Sequence, residues 1–281
     1  LLDKFGPERV IDAPLSESAI AGCAIGAALV GYRPIVELMF GDFLTIASEQ
    51  IVNCAAKMRW SLGGEVDVPV VYRTAYGGGV GAGMHHSQCF DRWFAGVPGL
   101  KVVLPSTPSD AKGLLKAAIR DNDPVLVLEH KFLYKRLQGP VPDEDYIVPI
   151  GKGDIKREGD DVTIIAMSAM VQQALEAAVR LEQENIHAEV LDPRTILPLD
   201  EELILQSVEK TGKVVIVHEA PVIGGFGGEI AAILADKGID FLEAPVKRVG
   251  APFCPVPSSP EMEQFYLPNA EKIIKAVLEI V

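Results

Sequence analysis

Three stretches of the chain gather residue types that can do chemistry. The segment Gly77-Gly78-Gly79-Val80-Gly81-Ala82-Gly83 runs directly into Met84-His85-His86-Ser87. Gly77, Gly79 and Ala82 satisfy the relaxed dinucleotide spacing G-x-G-x-x-G/A, yet histidines follow instead of a long apolar helix, and no strand-end acid stands about 20 residues on to hold a ribose. A loop that must pass close to a ligand or partner, where any Cβ would clash, accounts better for so much glycine. Imidazole titrates near neutral pH, and ligands of open α/β sheets collect at strand ends, so the His pair is a candidate for catalysis. A surface or packing role is the competing reading. The second stretch is Glu17, in the first turn of the small-residue run Ala19-Ile20-Ala21-Gly22-Cys23-Ala24-Ile25-Gly26. A helix dipole favours an acid there in any case, but a helix apolar nearly all round should be buried, and its first-turn carboxylate partly desolvated. Gly22 and Gly26, four residues apart, suit a tight helix pair, including one across a subunit boundary. The third is Phe40-Gly41-Asp42-Phe43, whose rings either pack in the core or stack on a planar heterocycle. Gly224-Gly225-Phe226-Gly227-Gly228, before a helix, reads as a tight turn in preference to an anion site.

The elements that position these residues follow from periodicity. Short Val- and Ile-rich runs alternate with amphipathic stretches, which argues for βα units around parallel sheets. Strands are predicted over residues 34–40, 68–74, 101–104 and 125–129, with helices over 16–30 (Ser16 as N-cap), 43–60 and 109–120. Three prolines among acids at Pro140 to Pro149 mark a linker. Beyond it, strands are predicted over 161–166, 188–191, 213–218 and 241–243, and helices over 170–184, 200–210, 228–237 and 269–281. The fold class is therefore α/β with two doubly wound domains, residues 1–133 and 151–281, joined by 134–150.

Composition excludes several classes of function. The 281 residues include 26 basic and 39 acidic side chains, a net charge of −13, which rules out a generic nucleic-acid binder. With 48% hydrophobic and 23% charged residues the chain can bury a real core. No apolar run approaches the roughly 20 residues of a membrane span, and no signal segment opens the chain. Cys23, Cys54, Cys89 and Cys254 are scattered without metal-ligand spacing, so a reduced cytosolic protein without disulfides or zinc is expected.

Several strings together resemble one family. They are Asp12-Ala13-Pro14-Leu15-Ser16-Glu17, Glu37-Leu38-Met39-Phe40-Gly41-Asp42-Phe43, Gln50-Ile51-Val52-Asn53-Cys54-Ala55-Ala56-Lys57, His86-Ser87-Gln88, Pro98-Gly99-Leu100-Lys101-Val102-Val103, Asp121-Asn122-Asp123-Pro124 and His218-Glu219-Ala220-Pro221. In this order, across nearly the whole chain, they resemble the β subunit of the thiamine-diphosphate-dependent 2-oxo acid dehydrogenases. The resemblance implies a transketolase-like pyrimidine-binding domain followed by a transketolase C-terminal domain. It also implies an α2β2 heterotetramer in which the α subunit holds diphosphate and magnesium and the β subunit holds the aminopyrimidine ring. The family's Gly-Asp-Gly and Asn-Asn metal motif is absent, so the chain is expected to be inactive alone.

The same resemblance assigns roles. Glu17 matches the glutamate that hydrogen-bonds a ring nitrogen of the aminopyrimidine and promotes its imino tautomer. Leu15, Met39, Phe40 and Phe43 match positions lining the ring; Met39 replaces a Gln of branched-chain and pyruvate relatives, and Phe43 stands where many relatives have Tyr. His86 matches a histidine at the reacting centre that assists proton transfer and passage of the acyl group to lipoamide, while His85 has no counterpart. Some relatives hold structural potassium with groups matching Val68, Val70, Val71, Ala118, Asp121 and Asp123. Partners implied are the α subunit, the dihydrolipoyl acyltransferase core, and a small-molecule 2-oxo acid (pyruvate or branched-chain) or acetoin, with no nucleic acid and no membrane. The expected location is cytoplasmic, or the mitochondrial matrix in a eukaryote. Rivals are a fragment of a single-chain transketolase or deoxyxylulose-phosphate synthase, and a non-catalytic scaffold. The opening Leu1-Leu2-Asp3, without Met, suggests an N-terminal truncation that would leave the first sheet with an exposed edge.

Overall fold

The computed structural model describes residues Leu1 to Val281. In the first half, α1 (Leu2–Phe5) and α2 (Glu17–Leu29) precede β1 (Ile35–Leu38). A 3₁₀ turn, Gly41–Phe43, then opens a helical run of α3 (Leu44–Ser48), a π-helical stretch Glu49–Ala55 and α4 (Ala56–Ser61). There follow β2 (Val71–Tyr76), α5 (Asp91–Ala95), β3 (Lys101–Val103), α6 (Pro108–Arg120) and β4 (Val125–His130). The second half holds β5 (Asp154–Arg157), β6 (Val162–Ala166), α7 (Met170–Glu182), β7 (Ala188–Asp192), β8 (Thr195–Leu197) and α8 (Glu201–Thr211). It closes with β9 (Val214–Pro221), α9 (Gly227–Lys237), β10 (Lys247–Ala251), α10 (Pro260–Tyr266) and α11 (Ala270–Leu278). No helix is long and apolar enough to cross a membrane.

Two five-stranded sheets result, ordered β1-β2-β4-β3-β8 and β10-β9-β6-β7-β5. The inner strands β4, β6 and β7 are buried at every residue, because helices cover both faces of a parallel sheet. Although β8 follows the linker in sequence, it pairs antiparallel with β3 (Val102 with Leu197, Val103 with Thr195) and so stitches the second half of the chain to the first sheet. One apolar core accordingly runs from Val102 and Leu126 through Leu191 to Ile204 and Ile216.

Four expectations need correction. The strand expected over 241–243 is a 3₁₀ turn, Ile239–Phe241, and the edge strand β10 forms only after Pro245, which has no N–H for a ladder. Pro69 likewise delays β2 to Val71. Ser16 occupies the N-cap of α2 but makes no capping bond. The helix α2 is not buried all round: Ala21, Ala24, Ile25 and Ala28 face the core while Ala19, Cys23 and Gly26 are exposed. Only Gly22 is closely approached, by the Gln50 side chain at 2.9 Å from where a Cβ would lie; a Cβ at Gly26 would meet nothing.

The seam between the halves is ionic. Asp192, fully buried, accepts from the Arg194 amide at 2.9 Å and from the Ser106 hydroxyl, and lies 3.7 Å from the Lys156 ammonium. Neighbouring Asp110 pairs with Lys156 at 2.7 Å and with Arg194 at 3.1 Å. Burial pushes the Asp192 carboxyl up to about 7 despite Lys156. Its folded value thus exceeds its unfolded one, and between about pH 4 and 7 the folded chain holds the extra proton, so this group costs stability as pH rises through that window. Asp192→Asn removes the ionisation. Relative to wild type, the variant should gain on the order of 1 kcal/mol or more between about pH 4.5 and 7.5 in urea unfolding; parallel curves would show that Asp192 does not titrate there.

Candidate functional site

Three strands deliver the site to one edge of the first sheet. At the C-terminal end of β1 come Phe40 and the Gly41–Phe43 turn; β2 leads into the glycine loop; β4 leads into Lys131. Gly41 is required where it stands, since a Cβ would lie 2.8 Å from that of Tyr76. The loop returns His86 onto the rings from β1. Phe40 and His86 meet edge-to-face with centroids 4.7 Å apart, Phe43 and His86 at 5.8 Å, and Phe40 and Phe43 at 5.7 Å. Beneath them Asp42 is buried: its Oδ1 accepts from the Gln88 amide at 3.3 Å and side chain at 2.8 Å, while Oδ2 has no partner. The Lys131 ammonium donates to the carbonyls of His86, at 2.6 Å, and Gly77. Burial pulls that ammonium below its ordinary value, against Asp42 and Glu219.

Glu17 starts α2, and the next residue, Ser18, donates its hydroxyl to the Ile46 carbonyl at 2.7 Å. That bond sets the Glu17 turn beside the segment that follows Phe43. The Glu17 carboxylate is half-buried, with no hydrogen bond or ion pair to the rest of the chain. Leu15 (86% exposed) and Met39 (58% exposed) lie open at the surface, and His85 is exposed outside the ring cluster. The structure therefore brings together Phe40, Phe43 and His86, keeps Glu17 next to their segment, and leaves Leu15 and Met39 without cover from this chain. Stackable rings beside an uncommitted carboxylate fit an aminopyrimidine, which needs an apolar flank and an acceptor for a ring N–H.

Residues beyond the linker complete the site, and sequence reasoning gave them no role. Glu219 accepts from the Gly78 amide at 2.7 Å, from the Cys89 thiol at 3.4 Å, and faces His130 Nε2 at 2.7 Å. Burial alone would raise the Glu219 carboxyl, but the His130 imidazole and these donors hold it well below the usual carboxylate range. Glu263 accepts from the amides of Gly79 and Gly81, both at 2.9 Å. His218 binds Asp91 at 2.7 Å. The string His218-Glu219-Ala220-Pro221 flagged the place of two of these. Glu263 had only a local signal, the Ser259 cap and Pro260 that start α10.

The six groups matched to a potassium site all have partners within the chain. Lys101 Nζ lies 2.7 Å from Asp121 and 3.1 Å from Asp123, and Arg59 lies 2.9 Å from Asp123. The carbonyls of Val68, Val70 and Ala118 accept from the amides of Val70, Val125 and Asp121, and Val71 sits within the ladder of β2. As arranged, both acids are paired with cations of the chain itself. No group of three or more His, Cys, Asp or Glu gathers for a metal elsewhere.

Comparison with known proteins gives a consistent picture. The model of the transketolase pyrimidine binding domain matches residues 1–136, and that of the transketolase C-terminal domain matches residues 151–273. The chain is 50% identical over 281 residues to the 2-oxoisovalerate dehydrogenase subunit beta of Bacillus subtilis, covering 100% of this chain and 86% of that protein. It is 50% identical over 280 residues to the acetoin:2,6-dichlorophenolindophenol oxidoreductase subunit beta of the same organism, covering 100% and 82%. The pyruvate dehydrogenase E1 component subunit beta of B. subtilis is 44% identical over 280 residues, covering 100% and 86%. Among solved structures, a split-gene transketolase, an inactive beta4 tetramer, superposes with a TM-score of 0.81 at 27% identity, covering 99% of this chain and 86% of that one.

Proposed function

The chain belongs to the transketolase-like family of E1 β subunits of the thiamine-diphosphate-dependent 2-oxo acid and acetoin dehydrogenases, and from that premise we propose that it forms an α2β2 enzyme with an α subunit and supplies the aminopyrimidine half of the active site. The observation that carries this is the Phe40, Phe43 and His86 cluster at the C-terminal edge of a parallel sheet, with the uncommitted Glu17 on the turn that Ser18 ties to the segment after Phe43. When bound, thiamine diphosphate supplies the nucleophilic carbon and electron sink that side chains lack. The part of this chain is to bind, orient and hold protons. Phe40 and Phe43 flank the ring, and Glu17 accepts a hydrogen bond from a ring nitrogen and thereby fixes its protonation. His86 presents an imidazole able to hold or give a proton where substrate meets cofactor. Leu15 and Met39, exposed here, become covered in the assembled site.

Magnesium belongs to the α subunit in this reading, lipoamide of the acyltransferase core is the acyl acceptor, and the compartment is cytoplasmic or, in a eukaryote, the mitochondrial matrix. Identity of 50% to both the 2-oxoisovalerate and the acetoin relatives, against 44% to the pyruvate relative, favours a branched-chain 2-oxo acid or acetoin as substrate. Reconstitution with an α subunit, thiamine diphosphate and magnesium, followed by dye reduction with pyruvate, branched-chain 2-oxo acids and acetoin, tests the proposal. One of these classes should turn over only when both subunits are present. Turnover of none by a properly assembled heterotetramer would overturn it.

A further inference from the structure

The loop that delivers His86 is held by side chains outside it. On its amide side Gly78 donates to Glu219 at 2.7 Å, and Gly79 and Gly81 donate to the two oxygens of Glu263 at 2.9 Å each. On its carbonyl side Lys131 takes Gly77 and His86. Close approach makes this possible. A Cβ at Gly78 would stand 3.3 Å from Glu263 Oε1 and 3.2 Å from the Leu267 side chain, and Gly77, Gly79, Gly81 and Gly83 all have positive φ. The amides of Gly79 and Gly81, two residues apart, turn toward one carboxylate and that of Gly78 toward another, so the loop presents its donors to side chains of the same chain. Both carboxylates are buried, so each would lose its compensating donors if the loop moved, and hydrogen bonds to a charged group are the strong ones.

We propose that Glu219 and Glu263, which lie beyond the linker, are positioning residues for His86, clamping the glycine loop so that the imidazole is held against Phe40 and Phe43. The proposal deepens the functional reading above and rests on His86 serving the reacting centre. Between Gly81 and His86 the backbone makes few other hydrogen bonds: the His86 amide bonds the Gly83 carbonyl at 3.2 Å and the His86 carbonyl accepts from Lys131, while the imidazole meets the Phe40 and Phe43 rings and Gln88 beyond it is bonded to Asp42. Loss of either carboxylate therefore loosens the loop that carries the imidazole without removing any group that faces Phe40 and Phe43.

Glu263→Gln is the sharpest probe, since the amide keeps the volume but can accept only one of the two loop N–H groups. In the α2β2 holoenzyme, E263Q should lower kcat by about tenfold in the same half-reaction that His86→Ala lowers, with KM little changed. Added to His86→Ala it should change kcat by less than about twofold, because it acts only through that imidazole. Amide hydrogen exchange over residues 77–86 should accelerate by about tenfold or more in E263Q, with the inner strands unaffected. Glu263→Asp, which keeps the charge, should recover part of both effects, and it replaces E263Q in both measurements if that variant does not fold. A full loss in both His86 backgrounds, or unchanged loop exchange, would overturn the clamp. Wild-type holoenzyme without turnover would defeat the functional reading instead, and the exchange experiment would still decide the clamp.

Discussion

Replacing Glu17 with Gln should lower turnover of the assembled enzyme by more than about 100-fold while leaving the stability of this chain within about 0.5 kcal/mol of wild type. Both halves of that expectation come from one feature. The Glu17 carboxylate has no partner within the chain, so its removal breaks no structural bond; the turn is kept in place by Ser18 and the Ile46 carbonyl. A half-buried acid without a structural duty is available to a ligand, and in the proposed site it is the group that exchanges a proton with a ring nitrogen of the aminopyrimidine. Gln keeps the size and one acceptor oxygen but cannot exchange that proton, so the loss should fall on kcat with cofactor affinity weakened less. Dye-coupled turnover of the reconstituted heterotetramer measures the first half and urea unfolding of this chain the second. Full activity in the variant would remove Glu17 from the chemistry, and a large stability loss would mean that its role is structural.

Local patterns carried much of the architecture, and the exceptions share a physical cause. The βα alternation is written in runs such as Val125 to Glu129, buried on both faces, and the family strings singled out Phe40, Phe43 and His86, whose rings meet in the fold. What local pattern could not carry was any interaction decided at a distance. Three residues of β8 have little strand signal of their own, and pair with β3 only because β7 brings them there. Glu263 reads as an ordinary acid in the first turn of a short helix, yet its carboxylate meets amides more than 180 positions away in sequence. The all-round apolar sequence of α2 misled in the opposite direction. Apolarity states that a face is to be covered without saying whether this chain or another covers it, and here Ala19, Cys23 and Gly26 stay exposed.

His130→Ala should be the most destabilising exchange at the site, with a loss of about 3–5 kcal/mol in urea unfolding at neutral pH. The ring of His130 faces Glu219 at 2.7 Å, packs edge-on against Tyr76 at 5.2 Å, and occupies the space that a Cβ on Gly77 would overlap. Truncation removes packing and leaves an ionised carboxylate buried, with only the Gly78 amide and the Cys89 thiol to compensate it. The sign of the pH dependence separates the two losses. Because Glu219 is held well below its unfolded value, its favourable contribution is present above about pH 4.3 and is lost as pH falls through the folded value. Without His130 burial dominates, the carboxyl rises, and the variant relieves its penalty by taking up a proton. The gap between wild type and His130→Ala should therefore narrow on acidification toward about pH 5, whereas a pure cavity would give a gap independent of pH. A constant gap, or a loss under about 1 kcal/mol, would show that Glu219 does not depend on the imidazole for its charge. Narrowing would mean that the buried pair of His130, at the end of β4, and Glu219, beyond the linker, stores much of the free energy that keeps the glycine loop, and with it His86, in register with the rings of β1.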